Sequence, residues 1–264
     1  MSFFTDQLGR TIELGHPPKR IISLVPSQTE LLADLDLEQE VIGITKFCVH
    51  PGDWYRTKRR IGGTKQLDLA LIRSLQPDLI IANKEENVKE QVEALAADFP
   101  VWVSDVNNLD DAIRMIDELG IVTGRQKEAK EISSRISEGF DSLESAASPL
   151  RTAYLIWRDP YMTVGGDTFI NHLLSRCGLQ NIFAGELRYP AVTVEELHAR
   201  TCELLLLSSE PYPFKQKHID ELKAFLPNAT ILLVDGELFS WYGSRLLHSP
   251  LYFQQLLEQI PSIS

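Results

Sequence analysis

The chain has 264 residues, 44% of them hydrophobic and 24% charged, a globular composition with enough apolar material for one large domain or two of ordinary size. Its 26 basic residues face 37 acidic ones, and a net charge of -11 repels nucleic-acid backbones and anionic lipid; the one dense basic run, Lys58-Arg59-Arg60, is too short for a nucleic-acid footprint. Three widely spaced cysteines, Cys48, Cys177 and Cys202, exclude a disulfide framework.

Short apolar runs then alternate with helical periodicity, the pattern of parallel α/β architecture. In the first half the expected strands are RIISLVP from Arg20, VIGITKF from Val41, DLIIAN from Asp78 and VWVSDV from Val101. Helices QTELLADL, DLALIRSL and NVKEQVEALAAD separate them, and a helix from Asn108 to about Leu119 closes this half. The second half repeats the scheme, with strands TAYLIW from Thr152, ELLLLSS from Glu203 and TILLVDG from Thr230. Its helices are DTFINHLLSRCG, VEELHAR, KHIDELKAFL and a last one from about Ser244 to Ile260. Short β-branched strands of this kind suit parallel sheets buried on both faces.

Between the halves, residues 125–149 carry Ala129, Ile132, Ile136, Phe140 and Leu143 at spacings of 3, 4, 4 and 3, one apolar stripe on a helix of about five turns. The expected organisation is an N-terminal α/β lobe over 1–124, a connecting backbone helix over 125–149 and a C-terminal α/β lobe over 150–264. A helical connection resists bending, so large closure of the lobes is expected to be disfavoured. No run of ~18 apolar residues and no leader pattern occurs. A cytoplasmic location is expected if Met1 is the native start, and a periplasmic or extracytoplasmic one if a leader has been removed.

The segments PKRIISLVPSQTELLADLDL, VIGITKF, IGGTKQLDLALIRSLQPDLIIAN, VWVSD, MTVGGDTFINHLLSRCGLQNIFAG and YPAVTVEEL occur in that order along nearly the whole chain. This series resembles the helical-backbone substrate-binding proteins of ABC importers for cobalamin, ferric siderophores and metals. The resemblance implies two Rossmann-like lobes with parallel sheets joined by one long backbone helix. It also implies a metal chelate (a corrinoid, ferric siderophore or haem-like ligand) or a metal ion held between the lobes, an importer permease as partner, and capture with no catalytic cofactor. Family members dock on the importer through one acid per lobe. Glu195 or Glu196 matches the C-terminal acid, and in the N-terminal lobe Ala70 stands at the acid's place with Asp68 close by. Phe47 and Tyr189 match ring-stacking aromatic positions of the cobalamin binders, while Lys65 and Asn83 fall near two further tryptophan positions.

Ligands of open α/β sheets lie beyond the carboxyl ends of the strands. The candidates there are Phe47, Cys48, His50, Lys65, Lys84, Glu85, Trp157, Arg158, Tyr161, Tyr189, Glu210, Tyr212, Trp241, Tyr242 and Arg245. Aromatic faces bury flat ligands at low entropic cost, and Arg158 and Arg245 can pair with carboxylates. Trp241 and Tyr242 are adjacent, so one of the two is expected to face outward. Lys65, Lys84, Glu85 and Glu86 read either as a charged ligand-recognising rim or as a solvated helix start. Gly165 and Gly166 read as a tight turn into a capped helix.

In TKFCVHP an extended backbone puts Cys48 and His50 on one side. Both are borderline-soft donors, so metal coordination by Cys48 and His50, contact with an organic ligand and a purely structural role all stay open. The motifs of serine hydrolases, zinc proteases, P-loop and dinucleotide-binding enzymes are absent, so the expectation is a binding protein. A cytosolic metal or tetrapyrrole binding protein on the same scaffold is the alternative, and a Cys-dependent enzyme built on Cys48 and His50 the remote one.

Overall fold

The computed structural model describes residues 1–146 and 148–260. The chain divides into two compact units. Unit 1 comprises 1–106, 110–137 and 242–245, and unit 2 comprises 107–109, 138–241 and the C-terminal stretch from Leu246.

Unit 1 is built on a parallel five-stranded sheet in the spatial order Arg59–Arg60, Val41–Ile44, Ile21–Ser23, Leu79–Asn83 and Val101–Ser104. Leu79, Ile80, Ile81 and Ala82 are all fully buried, as a central strand covered on both faces requires. The strand expected over Val41 to Phe47 stops at Ile44, and the chain turns at Lys46 and Phe47. An N-terminal antiparallel hairpin, Ser2–Thr5 with Thr11–Leu14, was not legible from the pattern. Its buried Asp6 accepts from the backbone N–H of Leu8, Arg10 and Val103 and is ion-paired to Arg10 at 2.7 Å. With Gln7 N–H donating to Val103 O, this turn covers the outer edge of the Val101–Ser104 strand.

Unit 2 carries a parallel four-stranded sheet in the order Leu179–Asn181, Leu150–Leu155, Leu204–Ser208 and Thr230–Val234. Leu205, Leu207, Leu222 and Phe183 lie in its core. A two-residue ribbon, Tyr161–Met162 with Ala191–Val192, lies outside this sheet.

Helix Leu109–Thr123 runs past the expected Leu119 and ends at Gly124, whose φ of 74° places it in the left-handed region that closes helices. The next helix, Gln126–Asp141, buries Ala129, Ile132, Ile136 and Phe140 on the expected stripe. It stops at Asp141, eight residues short of the expected end at Pro149, and Leu143 lies beyond it, half-buried. The passage from unit 1 to unit 2 falls inside this helix, between Ser137 and Glu138.

Candidate functional site

In unit 1 the carboxyl ends of the strands hold a network of buried amides and hydroxyls. Asn83 Oδ1 accepts from the backbone N–H of Glu85 at 2.8 Å and of Glu86 at 2.9 Å, and Asn83 Nδ2 donates to Ser104 Oγ at 2.9 Å. Asn87 Oδ1 accepts from Asn83 N–H and its amide donates to the carbonyls of Thr64 and Leu24. The stretch NKEEN is thus a turn locked by its two asparagines, and the following helix begins only at Lys89. Lys84 pairs with Asp105 at 2.6 Å, and Lys65 Nζ donates to the Glu85 carbonyl at 2.5 Å. The half-buried Glu86 carboxyl is pushed up by burial, against the pull of Lys65. Phe47 is 50% exposed, with Lys46 Nζ 5.1 Å from its ring centroid.

Cys48 does not share an extended strand with His50. The turn at Lys46 and Phe47 breaks the alternation, and the thiol is fully buried, within 3.1 Å of the hydroxyls of Thr29 and Thr45. Burial pushes the thiol up, so it stays a thiol. Among the described residues no group of three or more His, Cys, Asp or Glu side chains is placed to hold a metal ion. Alternation on a strand, the ground for pairing Cys48 with His50 as metal ligands, is therefore corrected. His50 is half-buried.

Arg245 has a partner that its place beyond a strand did not suggest, and the expectation for Trp241 and Tyr242 is corrected. Arg245 is held in a two-pronged pair with Glu30, Nε at 2.8 Å and Nη2 at 2.5 Å, and lies within unit 1 with only 15% of its side chain exposed. Trp241 and Tyr242 are 8% and 7% exposed, so neither faces outward. The chain passes from unit 2 to unit 1 between them. Glu210 accepts from Trp241 Nε1 at 2.9 Å and Ser240 Oγ at 2.7 Å, which anchors the end of the short Glu237–Ser240 helix. Phe239 is fully buried against Tyr154 and Phe253 and belongs to the core of unit 2.

Unit 2 brings four of the expected residues together. Leu150–Leu155 and Leu204–Ser208 are neighbouring parallel strands, so the loops that follow them, with Trp157, Arg158 and Tyr161 on one and Tyr212 on the other, open side by side. The Trp157 ring, 41% exposed, meets Tyr212 edge-on at 5.8 Å. Tyr212 in turn meets Phe214 at 4.8 Å and His218 at 5.5 Å. Arg158 pairs with Glu221 at 2.8 Å, and its positive charge acts on the neighbouring Tyr161 phenol against the effect of burial. Burial holds Tyr161 above the usual phenol range. His218 and Glu221, both on the Gln216–Lys223 helix, were missed by sequence reasoning. The available signal was the spacing of Lys215 and His218, by which a third-position side chain reaches back to the residue capping the helix. Tyr189 is half-buried with the Arg188 guanidinium 5.6 Å from its ring centroid.

The three candidate docking acids all stand at helix starts. Asp68 caps Leu69–Ser74 by accepting from Leu71 N–H at 2.9 Å. Glu196 closes a reciprocal capping box with Thr193. Exposed Glu195 is held below the usual carboxylate range by hydrogen bonds from its own backbone N–H and from Thr193. Gly165 and Gly166 are packing residues, since a Cβ on either would run into the carbonyls of Glu186 and Ala184, and the helix that follows is capped by Thr168.

Residues 21–225 match the family model described as periplasmic binding protein. The vitamin B12-binding protein of Yersinia pestis (strain Pestoides F) is 26% identical over 253 residues, covering 93% of this chain and 87% of that one. Among solved structures, the periplasmic vitamin B12-binding protein BtuF of Vibrio cholerae superposes with a TM-score of 0.77 at 22% identity, covering 92% of this chain and 97% of that one. The periplasmic haem-binding protein HutB of the same organism gives 0.76 at 18% identity, covering 90% of this chain and 98% of that one.

Proposed function

Because the chain belongs to the periplasmic binding protein family, we propose that it is a substrate-binding protein that captures a metal chelate, a corrinoid, ferric siderophore or haem-like ligand, for an ABC importer. The observation that carries this reading is the partly exposed group Trp157, Tyr212, Tyr161 and Arg158 beyond the carboxyl ends of the unit 2 strands. It combines ring faces for a flat ligand with a cation and hydroxyl donors for its polar edge. Exposed Phe47 beyond the unit 1 strand Val41–Ile44 supports the same reading. The B12-binding function of the Yersinia relative supports a corrinoid or a ligand of similar shape. Asp68 and Glu195, both exposed, are the acids proposed to meet the importer. Binding, with no chemistry, is the whole activity in this reading, and it takes place on the outer side of the membrane. No helix among the described residues is long and apolar enough to cross one.

The test is calorimetric titration of the purified chain with cyanocobalamin, haemin and a ferric hydroxamate. The reading expects one of them to bind with a Kd near or below about 1 µM, and Trp157→Ala to weaken it about tenfold or more. Absence of binding to all three chelates refutes it.

A further inference from the structure

The outer strand of the unit 2 sheet, Thr230–Val234, leaves its free edge open. Thr230 N–H donates to Glu203 O and Val234 O accepts from Ser209 N–H, so the even-numbered residues turn their backbone groups toward the neighbouring strand. The odd-numbered residues point theirs away from the sheet. At the two ends of this edge, Ala229 O takes Lys223 Nζ at 2.7 Å and Asp235 N–H donates to the Tyr252 hydroxyl at 2.8 Å. Between them, the N–H and C=O groups of Ile231 and Leu233 have no hydrogen-bond partner among the described residues.

The other edges of the two main sheets are protected. Arg59–Arg60 is exposed and charged, Val101–Ser104 is covered by the N-terminal turn, and Leu179–Asn181 is only three residues long. By contrast, TILLV carries no charge and no proline, and Leu233 is 41% exposed. Such a strand is a template for another strand.

The edge is complementary to itself. Two copies set antiparallel about Leu232 oppose Ile231 of one to Leu233 of the other, and each such pair exchanges two N–H···O bonds. Ile231 and Leu233 lie on one face with Leu205 and Leu207, the face covered by the Gln216–Lys223 helix, so the opposed side chains meet on a common face. The same register opposes Ala229 to Asp235, and charge then matches. The exposed Lys223 ammonium, held at Ala229 O, meets the exposed Asp235 carboxylate of the other copy. Asp235 and Glu237 edge a cavity of about 520 Å³ floored by Leu207, Phe214 and Leu233 on that face, where the lysine stem of the other copy fits.

We infer that the Thr230–Val234 edge is a self-association surface, and that its partner is a second copy of this chain joined antiparallel about Leu232 with Lys223 and Asp235 paired across the contact. The two four-stranded sheets become one continuous sheet. A net charge of -11 on each copy opposes the contact and keeps it weak.

Sedimentation equilibrium of the intact chain between about 1 µM and about 1 mM reads the contact. The expected result is a rise from one chain to two, with a Kd near about 100 µM. Lys223→Glu and Asp235→Lys should each weaken it about tenfold, and the two together should restore it. Register is read separately by oxidative cross-linking. Leu232→Cys faces its own copy at a non-hydrogen-bonded position, about 4.5 Å between Cα atoms, and should form a linked dimer. Thr230→Cys, opposed to Val234, should not, and the three native cysteines are buried and do not compete. A one-chain mass at every concentration, a dimer that the charge exchange leaves unaltered, or equal linking of Thr230→Cys and Leu232→Cys overturns the inference.

Discussion

Replacing Glu30 with Gln tests whether Arg245 is a structural cation. The pair is two-pronged, with 15% of the Arg245 side chain and 20% of the Glu30 side chain exposed, and it ties the segment 242–245 to the Pro26–Asp34 helix within unit 1. At a charge separation of about 4 Å and an effective dielectric constant near 20, the attraction is about 4 kcal/mol. Dehydration of both groups and residual solvent screening offset about half, so Glu30→Gln should destabilise unit 1 by about 2 kcal/mol, less than the 3–5 kcal/mol typical of a fully buried pair. Because a chain of two units need not unfold in one step, the assay is segment-resolved hydrogen exchange under native conditions, supported by urea denaturation. Faster exchange should be confined to 26–35 and 242–252, and the double variant Glu30→Gln with Arg245→Met should be no worse than either single one. A change below about 0.5 kcal/mol with unaltered exchange would refute the reasoning and return Arg245 to the pool of ligand-facing cations.

Three further outcomes follow from buried groups. Cys48, Cys177 and Cys202 are all free and buried, and burial pushes the Cys177 thiol to about 12 and the Cys202 thiol to about 11. A thiol reagent at pH 8 should therefore label none in the native protein and all three in denaturant; rapid native labelling would contradict the burial. Burial raises the Glu86 carboxyl, so its neutral form is favoured by folding and that contribution is lost as pH rises through its folded pKa. Glu86→Gln should then stabilise unit 1 at pH 7 and change little at pH 4, and the opposite order would sink this assignment. His218 is lowered by burial first and then by the charges of Arg158 and Lys217. Its contribution should be complete above about pH 6.5 and fall as acid protonates the unfolded chain, so the acid-side decline should flatten in His218→Asn.

Much of the architecture was readable because buried parallel strands are short runs of β-branched and leucine residues, as in IISL, LIIA and LLLL. The N-terminal hairpin escaped because its first strand is exposed or half-buried throughout and has no apolar run. The helix Gln126–Asp141 was legible from its stripe, but its end was not, since Leu143 continues the spacing after the backbone has left the helix. Residue type and place beyond a strand singled out Trp157, Arg158, Tyr161 and Tyr212 as candidates, and these stand on adjacent loops. Local geometry misled where it was assumed to be regular: TKFCVHP was read as extended and is turned, and Trp241-Tyr242 was read within one core and spans two units. The partners of Arg245 and Glu210 were not legible for another reason, since Glu30 and Trp241 lie 215 and 31 residues away and no spacing rule connects them.

The most direct test of chelate capture is stoichiometric retention. The chain is mixed with a slight excess of haemin or cyanocobalamin, passed through a desalting column, and the visible spectrum of the protein fraction is read. One chelate retained per chain, reduced by Trp157→Ala, is the expected result. A colourless protein fraction with both compounds would contradict the receptor assignment.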